Sequence, residues 1–271
     1  FVVVWHRLTN YLIDQGPDIV QFSAIHFSFQ RIFLRRLRRA GLTVTQICHE
    51  FEPREKSKLT RTLSQIGHQK VFEAFDLIYL HGAGNRDRFH EVYDIPRDRT
   101  RSIPHGNEEV FLSLGSGTPY IESSPTPSAL FFGGLRPSKG LNDLIDAWEL
   151  VRFEIDAHLR ICGEAEGVDP VALRERTERV GVAVSVEIDP RYQPAERVAD
   201  LMNQADVVVL PYRSATASGV LQVAYTFGVP VVATAVGTLA EDVIHGETGL
   251  LVAPGDVDAL ARALIKMLSD R

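Results

Sequence analysis

Several things are scarce in this 271-residue chain, and each scarcity excludes a class of protein. No run approaches the roughly 20 consecutive apolar residues of a membrane-spanning helix, and no stretch has the pattern of a signal peptide. There are only two cysteines, Cys48 and Cys162, without metal-ligand spacing. Each ends an apolar, strand-like run, so both read as buried thiols in a reducing compartment, and the protein is expected to be cytoplasmic. The G-x-G-x-x-G fingerprint is missing, which disfavours a dehydrogenase, and so is the P-loop, which sets Lys directly between Gly and Ser or Thr. Fixed-period repeats and low-complexity tracts are absent. Position 1 is not Met and lies inside an apolar run, so a longer parent protein is expected.

What is present is ordinary in bulk: 45% hydrophobic and 24% charged residues, net charge −6. Such a chain holds one large or two medium α/β domains with ample core. The charge is unevenly spread. Residues 1–106 carry 16 Lys+Arg against 11 Asp+Glu, net +5, and the remainder 13 against 24, net −11. Seven of the nine histidines fall in the first part. That asymmetry predicts two domains with different partners.

In chain order, strands are expected at 18–22, 43–48, 76–80 and 101–104, alternating with helices near 27–40, 57–75 and 85–93. About four strands are few for a parallel sheet, so the first domain, 1–112, is read as partial. Residues 113–127, rich in Ser, Gly, Pro and Thr, read as a linker. From 128 to 271 the alternation resumes, with strands at 129–132, 158–162 and 184–188, helices from Pro170 and Pro194, and a last helix over 256–268. The alternation of strand and helix implies an α/β fold on doubly wound parallel sheets.

The stretch from Asp206 to Leu251 organises the second domain. Asp206 to Leu210 is a buried strand, Ser218 stands where a helix N-cap belongs, and Gly228 and Pro230 end that helix before a strand over 230–235. Ser218, Gly219 and Val220 then present free backbone N–H groups, Gly219 allows close approach, and the helix dipole favours an anion. The same pattern is also that of an ordinary cap touching nothing. A second candidate is the turn from Gly133 through Gly134, Arg136 and Lys139 to Gly140, two cations on a flexible turn before a helix, which suits a diphosphate or is simply solvated.

The segments FFGGLRPSKGLNDLIDAW, ICGEAEG, ADVVVLPYRSATASGV, FGVPVVAT and HGETGLLV together resemble the C-terminal domain of family 4 (group 1) retaining glycosyltransferases of the GT-B fold. PDIVQFS, CHEFEP and IPHGNEEVF resemble the second half of that family's N-terminal domain. The resemblance implies two Rossmann-like doubly wound parallel-sheet domains, the first one partial, with a nucleotide-diphosphate sugar as donor, a carbohydrate or lipid-linked acceptor, retention at the anomeric carbon, and no cofactor. It matches Lys139 to a diphosphate ligand, with Arg136 reaching round the turn in place of an arginine that would fall at Gly134. It matches Ser218, Gly219 and Val220 to the cradle for the distal phosphate, with Gly133, Gly134 and Gly163 lining the donor site. His49 falls in an acceptor-side HE-type motif and is counted, with Lys139 and Arg136, as a catalytic candidate; it reads equally as a strand-end histidine. His105 and Gly106 match the segment leading into the hinge.

The chain departs from the family at one point. The Glu-x7-Glu pair that many members use on sugar and ribose is Ala215 and Val223 here, leaving Glu241 as a substitute carboxylate. Neither a metal nor a nucleic-acid partner is expected. A catalytically silent nucleotide-sugar binding module and a GT-B-type epimerase remain open. Last, Arg31, Arg35, Arg36, Arg38 and Arg39 fan across one face of the helix over 27–40, opposite an apolar arc of Phe29, Ile32, Phe33, Leu34, Leu37 and Ala40. That face is either solvated or suited to an anionic membrane surface, with the enzyme then peripheral at the inner face.

Overall fold

The computed structural model describes residues 1–23, 27–51, 58–114 and 126–270. Most of the expected linker, 115–125, lies outside the described residues, as does Glu52-Pro53 of the HE-type motif. The chain forms two compact units, Phe1–Pro104 and His105–Arg271. The short 3-10 segment Glu109–Ser113, expected in the first domain, therefore belongs to the second unit, where it packs on two helices.

The first unit runs α1 (Val2–Gln15), β1 (Ile19–Phe22), α2 (Arg31–Arg39), β2 (Thr43–Cys48), α3 (Lys58–Phe72), β3 (Leu77–His81), α4 (Ala83–Val92) and β4 (Thr100–Ile103). All four strands are parallel in the order β1-β2-β3-β4. Helix α1 is not among the expected elements, because Val2-Val3-Val4 has strand propensity. Packing overrides it: Trp5, Leu12 and Ile13 lie at helical spacing against the core, and buried Thr9 donates to the Trp5 carbonyl at 2.7 Å. Gly16, at φ 59°, ends the helix in the left-handed region that glycine adopts without cost. The helix expected over 27–40 opens as a 3-10 turn at Ser28–Gln30. Its apolar arc is narrower than expected. Phe33, Leu34 and Leu37 are buried, whereas Ile32 is 62% exposed and Ala40 is exposed.

The second unit contains β5 (Ser128–Phe132), α5 (Leu141–Glu154), β6 (His158–Cys162), α6 (Pro170–Arg179), β7 (Val186–Asp189), α7 (Ala195–Asn203), β8 (Val207–Leu210), α8 (Gly219–Thr226), β9 (Val231–Thr234), α9 (Leu239–Asp242), β10 (Gly249–Val252) and α10 (Val257–Ser269). The expected strand at 184–188 begins two residues later, since Ala183–Ser185 forms a 3-10 turn. Strands β8 and β9 are buried at every position, as a parallel sheet covered on both faces requires. Trp148 fills the core beneath α5, its indole N–H donating to Ser185 Oγ at 3.2 Å.

The strand order of this unit is β10-β9-β8-β5-β6-β7, all parallel. Counted from its own first strand, that is the Rossmann order 3-2-1-4-5-6 read from the other edge. The chain reverses direction across the sheet between β5 and β8. At such a switch point the loops leaving two adjacent strands diverge to opposite faces and leave a crevice at the carboxyl ends. The four described strands of the first unit run in sequential order and contain no such reversal.

Candidate functional site

The loops leaving β5 and β8 are the two that the sequence singled out. Residues 133–140 leave β5, and residues 211–218 lead from β8 into α8. Their backbones are tied together: Arg213 N–H donates to the Ser138 carbonyl at 2.8 Å. Arg213 also grips Asp143 in the first turn of α5 with two bonds, Nε at 2.8 Å and Nη2 at 2.7 Å. That pairing raises the arginine's pKa further, first through the hydrogen bonds and then through the carboxylate's charge. Asp143 is buried and Arg213 lies 70 residues away, so no local pattern in the sequence announces the clamp.

Glycine is required where these loops touch. Gly140 sits at φ 67°, and a Cβ there would collide with the Pro211 carbonyl oxygen. Gly163, at φ 144°, lies where a Cβ would strike the Gly133 carbonyl, so the turns after β5 and β6 meet backbone to backbone. Gly133 N–H donates to the Cys162 carbonyl at 3.0 Å. On its other side, a Cβ at Gly133 would come within 3.3 Å of Val220 Cγ2 on α8. Gly133, Gly134, Gly163 and the Ser218–Val220 helix start are thus gathered at one end of one sheet.

Ser218 caps α8 as expected: its Oγ accepts from Leu221 N–H at 3.4 Å, and the residue is buried. The Ser218 oxygen in turn lies 3.3 Å from the hydroxyl of Tyr212, a residue that no local sequence pattern marks. Lys139 places its Nζ 3.4 Å from the centroid of the same Tyr212 ring. Arg136 folds back toward Gly134 and holds Glu166, with Nε 2.5 Å from Oε2 and Nη2 on the same oxygen. A Cβ at Gly134 would approach both that carboxylate and Arg136 Nε, the latter at 3.6 Å. A cavity of about 340 Å³ opens beside Arg136, lined also by Gly140, Asn142, Asp169 and Arg213.

The remaining candidates fall as follows. Ala215 is partly buried in the loop before α8, and Val223 is buried in the core, so neither position offers a carboxylate. Glu241 is exposed on α9, which follows β9 at the same sheet end. Its loop is anchored there, with Thr238 N–H donating to the Thr216 carbonyl at 3.0 Å. The next residue, Asp242, has its pKa raised, chiefly by burial. His105, expected only to lead into the hinge, has its Cε1 4.0 Å from where a Cβ of Gly219 would stand, beside the helix start. His49 belongs to the first unit, exposed just after β2, with Nδ1 3.2 Å from Nε2 of buried His81. The chain's one Asp-x-Asp spacing, Asp256 and Asp258, opens α10, where Asp256 caps Ala259 N–H at 2.8 Å. Among the described residues no group of three or more His, Cys, Asp or Glu is placed to hold a metal.

Comparison with known proteins bears on this geometry. Residues 126–270, just over half of the chain, match the family model for group 1 glycosyl transferases. A D-inositol 3-phosphate glycosyltransferase of Nocardia farcinica is 30% identical over 225 residues, covering 76% of this chain and 48% of the relative. The chain spans about half the length of the curated relatives it matches. Sucrose-phosphate synthase from Thermosynechococcus elongatus superposes with a TM-score of 0.75 at 21% identity, covering 98% of this chain and 68% of the other. Anabaena Alr3699/HepE in complex with UDP-glucose does so with a TM-score of 0.75 at 18% identity, covering 98% and 72%. The expected fold class, two Rossmann-like domains of the GT-B type, therefore holds, and the chain belongs to the group 1 glycosyltransferases.

Proposed function

We propose that this chain transfers a sugar from a nucleoside-diphosphate sugar, bound at the β5/β8 switch point, to a phosphate-bearing acceptor. One observation carries the donor assignment: the cationic glycine turn and the capped N-terminus of α8 converge at that switch point. Glycosyl transfer leaves negative charge on the departing diphosphate, and preorganised donors in place before reaction are the strongest means of stabilising it. Lys139, Arg136 and the N–H groups of Gly219 and Val220 supply such donors without a metal. Arg136 would exchange Glu166 for a phosphate oxygen, a swap of one anion for another. Retention fits a donor phosphate that takes the acceptor's proton as the glycosidic bond breaks. The structural neighbour with UDP-glucose bound and the inositol-phosphate name of the relatives support the two substrate classes. A basic first part of the chain suits an anionic acceptor, whether free or lipid-linked.

Calorimetry with UDP, GDP and ADP tests the donor site. Charge-assisted contacts contribute about 1.5–3 kcal/mol each, so Lys139→Ala should weaken the best ligand about tenfold or more. Equal affinity in parent and variant would remove the assignment. Turnover that persists in a chelator would support the metal-free reading, and turnover abolished by chelator and restored by a divalent ion would reject it.

A second reading rests on Ala215 and Val223. Without carboxylates there, the site binds a nucleotide sugar and does no chemistry. Donor binding with neither transfer nor donor hydrolysis in a full-length protein would favour it.

A further inference from the structure

Tyr212 touches both halves of the anion site while being sealed from solvent. It follows Pro211 at the end of β8, with no exposed surface. Its backbone is fixed from the neighbouring strand, because Thr234 Oγ1 donates to its carbonyl at 2.6 Å. One face of the ring carries the Lys139 ammonium at 3.4 Å from the centroid. The hydroxyl lies 3.3 Å from Ser218 Oγ, the oxygen that caps α8 through Leu221 N–H. A core position of this kind needs only volume, which Leu or Phe would fill. It does not need a hydroxyl, nor a cation parked on the ring.

We propose that Tyr212 is a positioning residue of the anion site, its ring setting the resting place of the Lys139 ammonium and its hydroxyl setting the Ser218 cap. A lysine on a flexible four-carbon stem gives up much rotamer freedom when it binds a ligand. One already held over an aromatic face gives up less, and the ring attracts the cation without neutralising it. The hydroxyl acts on the other wall of the site by fixing the serine that orients the first N–H groups of α8. Burial pushes the phenol up to about 12, so it stays neutral and serves as neither base nor counter-ion. Lys139 and Ser218 are separated by 79 positions in the chain and are joined through this one side chain.

The inference rests on the donor reading, and the experiment separates their failures. UDP, GDP and ADP are titrated calorimetrically into the parent, Tyr212→Phe, Tyr212→Leu, Lys139→Ala and the Tyr212→Leu/Lys139→Ala double variant, with melting curves for each. The leucine variant loses the ring as well as the hydroxyl and should bind the best nucleotide about tenfold more weakly than Tyr212→Phe. The double variant should bind more weakly than Lys139→Ala only by the factor that Tyr212→Phe loses, because the ring and the lysine share one interaction and the hydroxyl acts apart from it. Tyr212→Phe keeps the ring and should lose about two- to tenfold, the range of one hydrogen bond, while Lys139→Ala costs the same in its background as in the parent. Independent, multiplying losses for the leucine and lysine changes would show a tyrosine acting through packing alone and overturn the proposal. If the leucine variant does not fold, the phenylalanine variant decides, and unchanged affinity there overturns the hydroxyl's role. A parent that binds none of the three nucleotides overturns the donor reading and this inference together.

Discussion

Cys48 and Cys162 show how a residue's surroundings set its chemistry. Both thiols are free and buried. Burial pushes Cys48 up to about 12 and Cys162 up to about 11, the latter helped by the nearby carboxylates of Glu187 and Asp189. The thiolate is the reactive form, so at pH 8 neither should be a nucleophile. Native protein treated with a chromogenic disulfide reagent at pH 8 should release almost nothing, and two equivalents after denaturation in guanidinium. The first residual release, if any, should come from Cys162. Rapid native reaction at Cys48 would show that the strand end is open. The buried thiols are legible in the sequence, because an apolar run ending in Cys is a local pattern. Tyr212, Glu166 and the Asp143–Arg213 clamp are not. Each of those acts across a loop-to-loop contact between residues far apart in the chain.

At the scale of elements, the turn from Gly133 to Gly140 depends on one backbone conformation. Gly140 has φ 67° and abuts the Pro211 carbonyl, so a side chain there is opposed by both strain and collision. A non-glycine residue in the left-handed region costs roughly 1–2 kcal/mol before any clash. Gly140→Ala should therefore lower Tm by several degrees, at about 2–4 °C per kcal/mol for a domain of this size. It should also weaken nucleotide binding, because the turn that carries Lys139 must move away from Pro211. A variant with the parent's Tm and affinity would show that the loops are not locked together. Most helices and strands of the second unit were legible within a residue or two, since Ser218, Asp256 and Pro170 mark helix starts by cap chemistry, whereas α9 and β10 were not among the expected elements. Helix α1 was not legible, because its three valines follow strand propensity and only the packing of Trp5, Leu12 and Ile13 makes it a helix. The strand order, which places the site, is set by long-range pairing that no single segment encodes.

For the whole molecule, the uneven charge raises the question of what the basic first part meets. No helix among the described residues is long and apolar enough to cross a membrane. On α2 the five arginines divide into two groups. Arg38 Nη2 binds Asp76 at 2.8 Å and Arg35 approaches Glu73 at 3.9 Å, so these two belong partly to the fold. Arg36 and Arg39 are exposed, Arg31 half-buried, and beside them Ile32 is 62% exposed. Nearby in the same unit, Phe27 is 46% exposed and stacks on Phe29 at 5.6 Å. Solvent favours the arginines but not the apolar side chains, whereas an anionic lipid surface accommodates both. Each cation near such a surface contributes about 1 kcal/mol, and salt weakens it. We predict peripheral, salt-sensitive binding through α2, which would suit a lipid-linked acceptor. Co-sedimentation with vesicles of phosphatidylglycerol and of phosphatidylcholine tests it, for the parent and for Arg31→Gln/Arg36→Gln/Arg39→Gln. This variant leaves the Arg35 and Arg38 pairs intact, so its melting temperature should match the parent's. The parent should pellet with the anionic vesicles at low salt and release as salt rises, and the variant should stay largely in the supernatant. Equal pelleting of both proteins, or none by the parent, would leave these arginines as solvated surface charge.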